Sequence, residues 1–137
     1  MASLYPRRLD HFHTRLNAHE QVRLETLEDY CRSHAVDRIG LLKLDIEGHE
    51  LSALQGAGSL LESGRIDFIQ FEFGGCNIDS RTYFQDFYYL LHERYDLFRI
   101  LSHGFRAIPA YRESQETFIT TNFLARRKGL HADFLRD

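Results

Sequence analysis

Residues 39–50 read IGLLKLDIEGHE, and this stretch decides the fold class. Its first part, residues 39–46, is a short apolar run without clean alternation, which predicts a parallel strand covered on both faces. Acidic side chains follow where this strand ends and a helix begins. Because ligands in open α/β sheets bind at the carboxyl ends of strands, we expect a functional site here.

Upstream of this strand, residues 21–24 predict a short strand and residues 27–35 a helix. Thr26 is placed to cap that helix, with Asp29 three residues further on as a variant of the capping box. The helix is expected to bury three of its side chains: Leu27, Tyr30 and Cys31.

Downstream, residues 49–62 predict a second helix because leucines recur at helical spacing. The glycines at 56 and 58 weaken this helix and predict that it divides in two. Gly64 is a natural C-terminal stop. Residues 65–73 (RIDFIQFEF) then predict the second strong strand, which two further glycines end.

The remaining elements complete an alternating order. Thr82, with Gln85 at the third position, predicts the start of an aromatic helix over residues 83–95. Residues 96–101 and 117–126 predict two last strands, separated by an irregular loop with room for a short ribbon. The alternation of strands and helices predicts a mostly parallel α/β sheet, and the final strand pair predicts an antiparallel finish.

Two charged residues of the first strand share one of its faces. Lys43 and Asp45 are two residues apart, and a lysine inside a buried strand costs free energy unless it is paired. Asp45, Glu47 and His49 are therefore candidate functional residues. The alternatives are structural: Lys43 forms an ion pair, and Glu47 complements the positive end of the following helix.

A second acid, Glu72, ends the strand IQFEF. If the two strands are neighbours, Asp45 and Glu72 stand on adjacent strand ends, about 5 Å apart at the backbone. Two such carboxylates can bind a metal, share a proton or orient a hydroxyl group. Alternatively, Glu72 accepts local hydrogen bonds and only shapes the loop.

Composition bounds the partners and the compartment. The chain has 137 residues and a net charge of −3, which fits one compact domain or part of one, and does not fit a nucleic-acid or anionic-membrane partner. Cys31 and Cys76 form no CxxC motif and are interpreted as free thiols, with a single disulfide as the alternative. No apolar run approaches the roughly 20 residues of a membrane helix, so we place the protein in the cytoplasm.

The ends of the chain carry few signals. Residues 1–20 are polar and His-rich without periodicity, and we interpret them as a loop or arm; residues 129–137 read as a peripheral tail. The HxH of His11 and His13 favours a solvated surface over a zinc site, so no metal is predicted. The sequence contains no GxSxG, no phosphate-binding loop and no GxGxxG after a strand.

The segment LLKLDIEGHELSALQGAGSLLESGRIDFIQFEFG, residues 41–74, resembles FkbM-type methyltransferases, which depend on S-adenosylmethionine. TYFQDFYYLLHERYDLFRI and ETFITTNFLA, further on, resemble the same family in order and spacing. The resemblance implies a class I methyltransferase (Rossmann-like) sheet with helices on both faces. In that fold the strands that end at Asp45 and Glu72 are the fourth and fifth, and they are neighbours.

The resemblance also implies a function and its residues. It implies transfer of a methyl group to a hydroxyl of a small molecule or saccharide, with S-adenosylmethionine as cofactor. The expected catalytic residues are Asp45, Glu72, His49 and Lys43, and the expected cofactor-binding residues are Asp45 and Glu47. A metal hydrolase that uses Asp45, Glu47 and His49 is disfavoured, because no motif that orients a nucleophile accompanies them.

One family motif is missing from the sequence. The glycine-rich turn, approximately DVGANxG, that wraps the methionine part of the cofactor is not present. The resemblance therefore implies that residues 21–128 form the C-terminal part of a methyltransferase domain with an incomplete sheet. The alternative is a non-catalytic α/β remnant or interaction module. An uncovered sheet edge would also favour a homodimer.

Overall fold

The computed structural model describes residues 3–14 and 18–131. These residues form five strands: β1 (Ile39–Leu44), β2 (Ile66–Phe73), β3 (Tyr95–Leu101), β4 (Gly104–Ile108) and β5 (Thr121–Arg127). They also form five short helices: α1 (Leu27–Ser33), α2 (Glu50–Gln55), α3 (Gly58–Glu62), α4 (Gly75–Ser80) and α5 (Phe84–Leu91). Two 3-10 turns, Asp10–Phe12 and Glu113–Gln115, complete the described elements.

The strands form one open sheet in the order β1-β2-β5-β3-β4. Among the described strands, only β1 and β2 pair in parallel, and the other three pairings are antiparallel. The expected antiparallel finish is confirmed, because β5 runs antiparallel to both β2 and β3. The expectation of a mostly parallel sheet is wrong, since β5 inserts between two strands of the opposite direction and the chain after β3 turns back at once as β4.

Four of the five described helices pack on one face of the sheet. Side chains from α1, α2, α3 and α5 share a single core cluster with alternate residues of the strands, including Leu44, Ile69, Phe71, Phe73, Phe123 and Ala125. Of the helices expected on both faces, this cluster accounts for one face; α4 contributes no side chain to it, and its Cys76 lies beside Glu72. The expectation that β1 is covered on both faces is wrong: β1 is an edge strand, and Leu41 on its outer face is 57% exposed. Self-association through this edge stays a prediction.

Stacked aromatic rings fill the core between α5 and the sheet. The Phe71 and Phe87 rings are stacked with centroids 4.8 Å apart, and the Phe84 and Phe123 centroids lie 4.5 Å apart. Phe73 meets Phe87 edge-on. Such aromatic pairs add about 0.5–1.5 kcal/mol beyond the area that they bury. This packing fixes β2 and therefore the position of the acid at its end.

The predicted helix ends are partly confirmed. The hydroxyl of Thr26 accepts a hydrogen bond from the backbone N–H of Asp29 at 3.0 Å, as expected for the cap of α1. The helix over 49–62 divides into α2 and α3, and Gly64 follows with a φ of +65°. Tyr30 was expected to face inward, but it is 47% exposed.

Two expectations about local structure are wrong. Residues 21–24 form no strand, because no neighbouring chain pairs with them. The helix α5 begins at Phe84. Its first two backbone N–H groups, those of Phe84 and Gln85, donate hydrogen bonds to the carboxylate of Glu116 at 2.8 and 2.9 Å. Thr82 does not cap α5; its hydroxyl accepts a hydrogen bond from the side chain of Asn77 instead.

The structure also bears on the predictions about the cysteines, membrane helices and the C-terminal tail. Cys31 and Cys76 are free thiols, as predicted, and both are buried. Of the helices that the structure describes, none combines the length and the apolar character that crossing a membrane requires. Most of the predicted tail, residues 132–137, lies outside the described residues.

Candidate active site

The register of the two parallel strands brings the two predicted acids together. Lys43 pairs with Gln70 and Leu44 with Phe71, so the next residues along are Asp45, just after the end of β1, and Glu72, near the end of β2. Burial raises the pKa of the Glu72 carboxyl group, and the negative charge of Asp45 raises it further. The carboxyl ends of β1 and β2 therefore carry a shared acidic site.

A strained loop follows β1 and positions Glu47. Glu47 has a φ of +54° and Gly48 a φ of +103°, both in the left-handed region. The carboxylate of Glu50, which has no exposed surface, accepts hydrogen bonds from the backbone N–H of Ile46 at 2.8 Å and of Gly48 at 2.9 Å. Glu50 is thus a structural residue that holds the loop in shape, and Glu47 is left to face the site.

The loop also packs tightly against α4. A Cβ atom added at Gly48 would lie 3.0 Å from the carbonyl oxygen of Cys76 and 3.3 Å from the side chain of Ser80. The positive φ of Gly48 already disfavours any other residue there. Because Gly48 is small, α4 approaches the loop, and Cys76 lies beside the acids.

Glu47, Glu72 and Cys76 form a compact group. One ligand atom of each lies within 4.8 Å of the others, a spacing that could hold a metal ion. Burial raises the pKa of the Cys76 thiol to about 12. Burial also raises the pKa of Glu72, and the nearby charges of Asp45, Glu47 and Glu50 raise it further. The arrangement surrounds a half-buried carboxyl group with other acids, which suits proton transfer or the binding of a cation.

The N-terminal arm supplies the opposite charge. Arg7 donates from Nη1 to Oε2 of Glu47 at 2.6 Å and from Nε to Oδ2 of Asp79 at 3.2 Å, and only 8% of its side chain is exposed. Ser3 donates from its hydroxyl to the carbonyl oxygen of Glu47 at 2.8 Å. The arm was expected to lack periodicity; from Ser3 to Leu9 its residues instead alternate between inward and outward.

The structure places the other predicted residues less centrally. Lys43 pairs with Asp45 at 3.0 Å, but about half of each side chain is exposed. The prediction that Lys43 lies inside a buried strand is therefore wrong. His49 lies in the loop with its Nδ1 3.1 Å from the Tyr5 hydroxyl. Among the described residues, His11 and His13 belong to no group spaced for a metal ion.

Sequence reasoning missed three residues of the site: Arg7, Cys76 and Asp79. For Arg7 the sequence holds no signal, since residues 3–9 (SLYPRRL) show no alternation of apolar and polar side chains. Cys76 and Asp79 lie in α4, a six-residue helix whose glycine-rich start was interpreted only as the end of a strand.

Comparison with known proteins decides the family. The family described as Methyltransferase FkbM domain matches residues 3–107. The chain belongs to the FkbM methyltransferase family. The matched region of this FkbM domain begins with the arm and includes the acidic ends of β1 and β2 and all of α4. No curated protein and no solved structure matches the chain.

Proposed function

We propose that this FkbM domain transfers a methyl group from S-adenosylmethionine to a hydroxyl oxygen of a small molecule or saccharide. The observation that supports this function is the meeting of Asp45 and Glu72 at the carboxyl ends of two parallel strands. Family membership supports the reaction class. The ends of parallel strands are where open α/β sheets bind their ligands.

Glu72 is suited to take up the proton of the acceptor. An alcohol is a weak nucleophile until its proton begins to leave, so a nearby base accelerates the transfer. Burial and neighbouring acids raise the pKa of Glu72, which makes its carboxylate a stronger base than an exposed glutamate. Asp45, half exposed beside Lys43, is placed to orient the hydroxyl group. His49 is a weaker candidate because Tyr5 is close to its Nδ1.

The acidic group fits the charge of the cofactor. S-adenosylmethionine carries a sulfonium and an ammonium group, and it supplies the reactive methyl group when bound. The carboxylates of Asp45 and Glu47 are the side chains that we propose to hold these positive charges. Glu47 can do so only when Arg7 does not occupy its carboxylate.

Methyl transfer from radiolabelled S-adenosylmethionine to a set of hydroxyl acceptors tests this function. Glu72→Gln removes the base with little change in shape and should lower kcat by roughly 10²–10⁴-fold. Glu93→Gln, on an exposed residue, is the matched control and should keep full activity. Because the base must be ionised, wild-type activity should fall as the pH drops through the raised pKa of Glu72. Full activity of the Glu72 variant would refute the assignment.

A second candidate function is a non-catalytic α/β module. The observation that favours it is the arm, whose Arg7 and Tyr5 engage Glu47 and His49. The same assay separates the two: the module predicts no methyl transfer to any acceptor and no difference between the Glu72 and Glu93 variants.

A further inference from the structure

Residues 3–9 form an extended segment laid over the acidic site, which we call the strap. Residues 3, 5 and 7 are half-buried, residues 4, 6 and 8 are exposed, and Leu9 is buried with 5% of its surface accessible. This alternation is what an extended chain produces when one of its faces contacts the protein. The strap contains no helix or strand of its own.

The strap binds the site through the atoms that a ligand would need. The guanidinium of Arg7 joins Glu47 of the loop to Asp79 of α4, at 2.6 and 3.2 Å. Hydrogen bonds between two charged groups are about twice as strong as neutral ones, so this contact is the main anchor. Oε2 of Glu47 cannot bind Arg7 and an external cation at full strength together.

Two other residues of the strap also contact the candidate site. The Tyr5 hydroxyl lies 3.1 Å from Nδ1 of His49, and their rings are tilted with centroids 5.8 Å apart. The hydroxyl of Ser3 binds the carbonyl oxygen of Glu47 at 2.8 Å. Two residues of the candidate site, Glu47 and His49, are therefore engaged by the strap.

We propose that the strap is an autoinhibitory closure, which must release Glu47 before a ligand can use that carboxylate. Segments outside regular structure open at low free-energy cost, and buried Leu9 with the 3-10 turn Asp10–Phe12 after it provides the point about which the strap moves. The contacts of the strap support this closure independently of the proposed function. That the excluded ligand is S-adenosylmethionine rests on the proposed function.

Labelling of Cys76 by iodoacetamide, followed by peptide mass spectrometry, measures opening in the full chain. Arg7→Ala should speed the labelling about tenfold or more, the factor that corresponds to one lost charge-assisted hydrogen bond. The charge of Arg7 lowers the pKa of Cys76, so its removal alone would disfavour the reactive thiolate and slow the reaction. Faster labelling therefore reports opening. Arg8→Ala, an exposed neighbour, is the matched control.

Cys31, buried in the helical core, is the internal reference for unfolding. The closure predicts faster labelling of Cys76 with unchanged labelling of Cys31 in Arg7→Ala, and no change of either in Arg8→Ala. An unchanged Cys76 rate, or an equal rise at both cysteines, would overturn it.

Calorimetric titration with S-adenosylmethionine then separates the closure from the function. Arg7→Ala should bind the cofactor about tenfold more tightly than the wild type, and Arg8→Ala should bind it as the wild type does. Weaker binding by Arg7→Ala would overturn the closure, because Arg7 would then belong to the binding site. Faster Cys76 labelling without binding by any of the proteins would support the closure and refute the proposed function.

Discussion

Strand β2 carries two different surfaces on its two sides. Ile69, Phe71 and Phe73 point into the helix-covered core and have no exposed surface. Gln70 and Glu72 lie one residue out of step with them and are half-buried on the opposite face. The same eight residues therefore hold the sheet to its helices and carry an acid to the site.

The aromatic face of β2 supports a costly polar group on the opposite face. Burial of a carboxyl group raises its pKa and costs free energy, and Glu72 has that cost without lying in the core. The aromatic contacts of Phe71 and Phe73 fix the strand from behind. The stability of one face thus allows the opposite face to keep two acids close together.

The largest expected difference between the faces is in stability. Phe71→Ala should lower the free energy of unfolding by about 3–5 kcal/mol, because it removes a fully buried ring and leaves a cavity. Gln70→Ala, the adjacent residue, should lower it by about 1 kcal/mol or less, since it loses one half-buried hydrogen bond to Asn122. Chemical denaturation measures both. Similar losses would contradict the division of the strand into a structural and a polar face.

A smaller loss of stability is expected when Glu50, which binds the loop after β1, is replaced. Glu50→Gln replaces one hydrogen-bond-accepting oxygen by an N–H donor beside the N–H of Ile46 or Gly48, which should cost about 1–3 kcal/mol of stability. Glu62→Gln, on an exposed residue of α3, is the control and should change the stability by less than about 0.5 kcal/mol. If both variants unfold at the same denaturant concentration, Glu50 does not hold the loop.

Local patterns were sufficient to predict the centre of the fold. The apolar run of β1 and the segment RIDFIQFEF, ended by two glycines, predicted both strands, and the helix between them predicted their parallel pairing. The neighbouring positions of Asp45 and Glu72 were predicted on the condition that the two strands are neighbours, an order that the family resemblance implied. The cap at Thr26 and the division between α2 and α3 were predictable for the same reason, since each depends on residues within one or two turns.

The rest depends on residues far apart in the chain. Arg7 reaches Asp79 across 72 positions, and Glu116 binds the start of α5 from 31 positions away. No local pattern encodes such partners. The burial of β1 was misjudged for a related reason: its apolar run predicts burial on both faces, but its position at the edge of the sheet leaves Leu41 exposed.

The shared acidic site requires that the carboxyl groups of Asp45 and Glu72 lie close together. An NMR titration of the Glu72 carboxyl carbon tests this proximity most directly. We predict a pKa above the ordinary value of 4.5 for Glu72 in the wild type, and a lower pKa in Asp45→Asn, because that variant removes a neighbouring negative charge. Asp37→Asn, on an exposed residue away from the site, should leave the Glu72 pKa unchanged. A Glu72 pKa that does not respond to Asp45→Asn would contradict the shared acidic site.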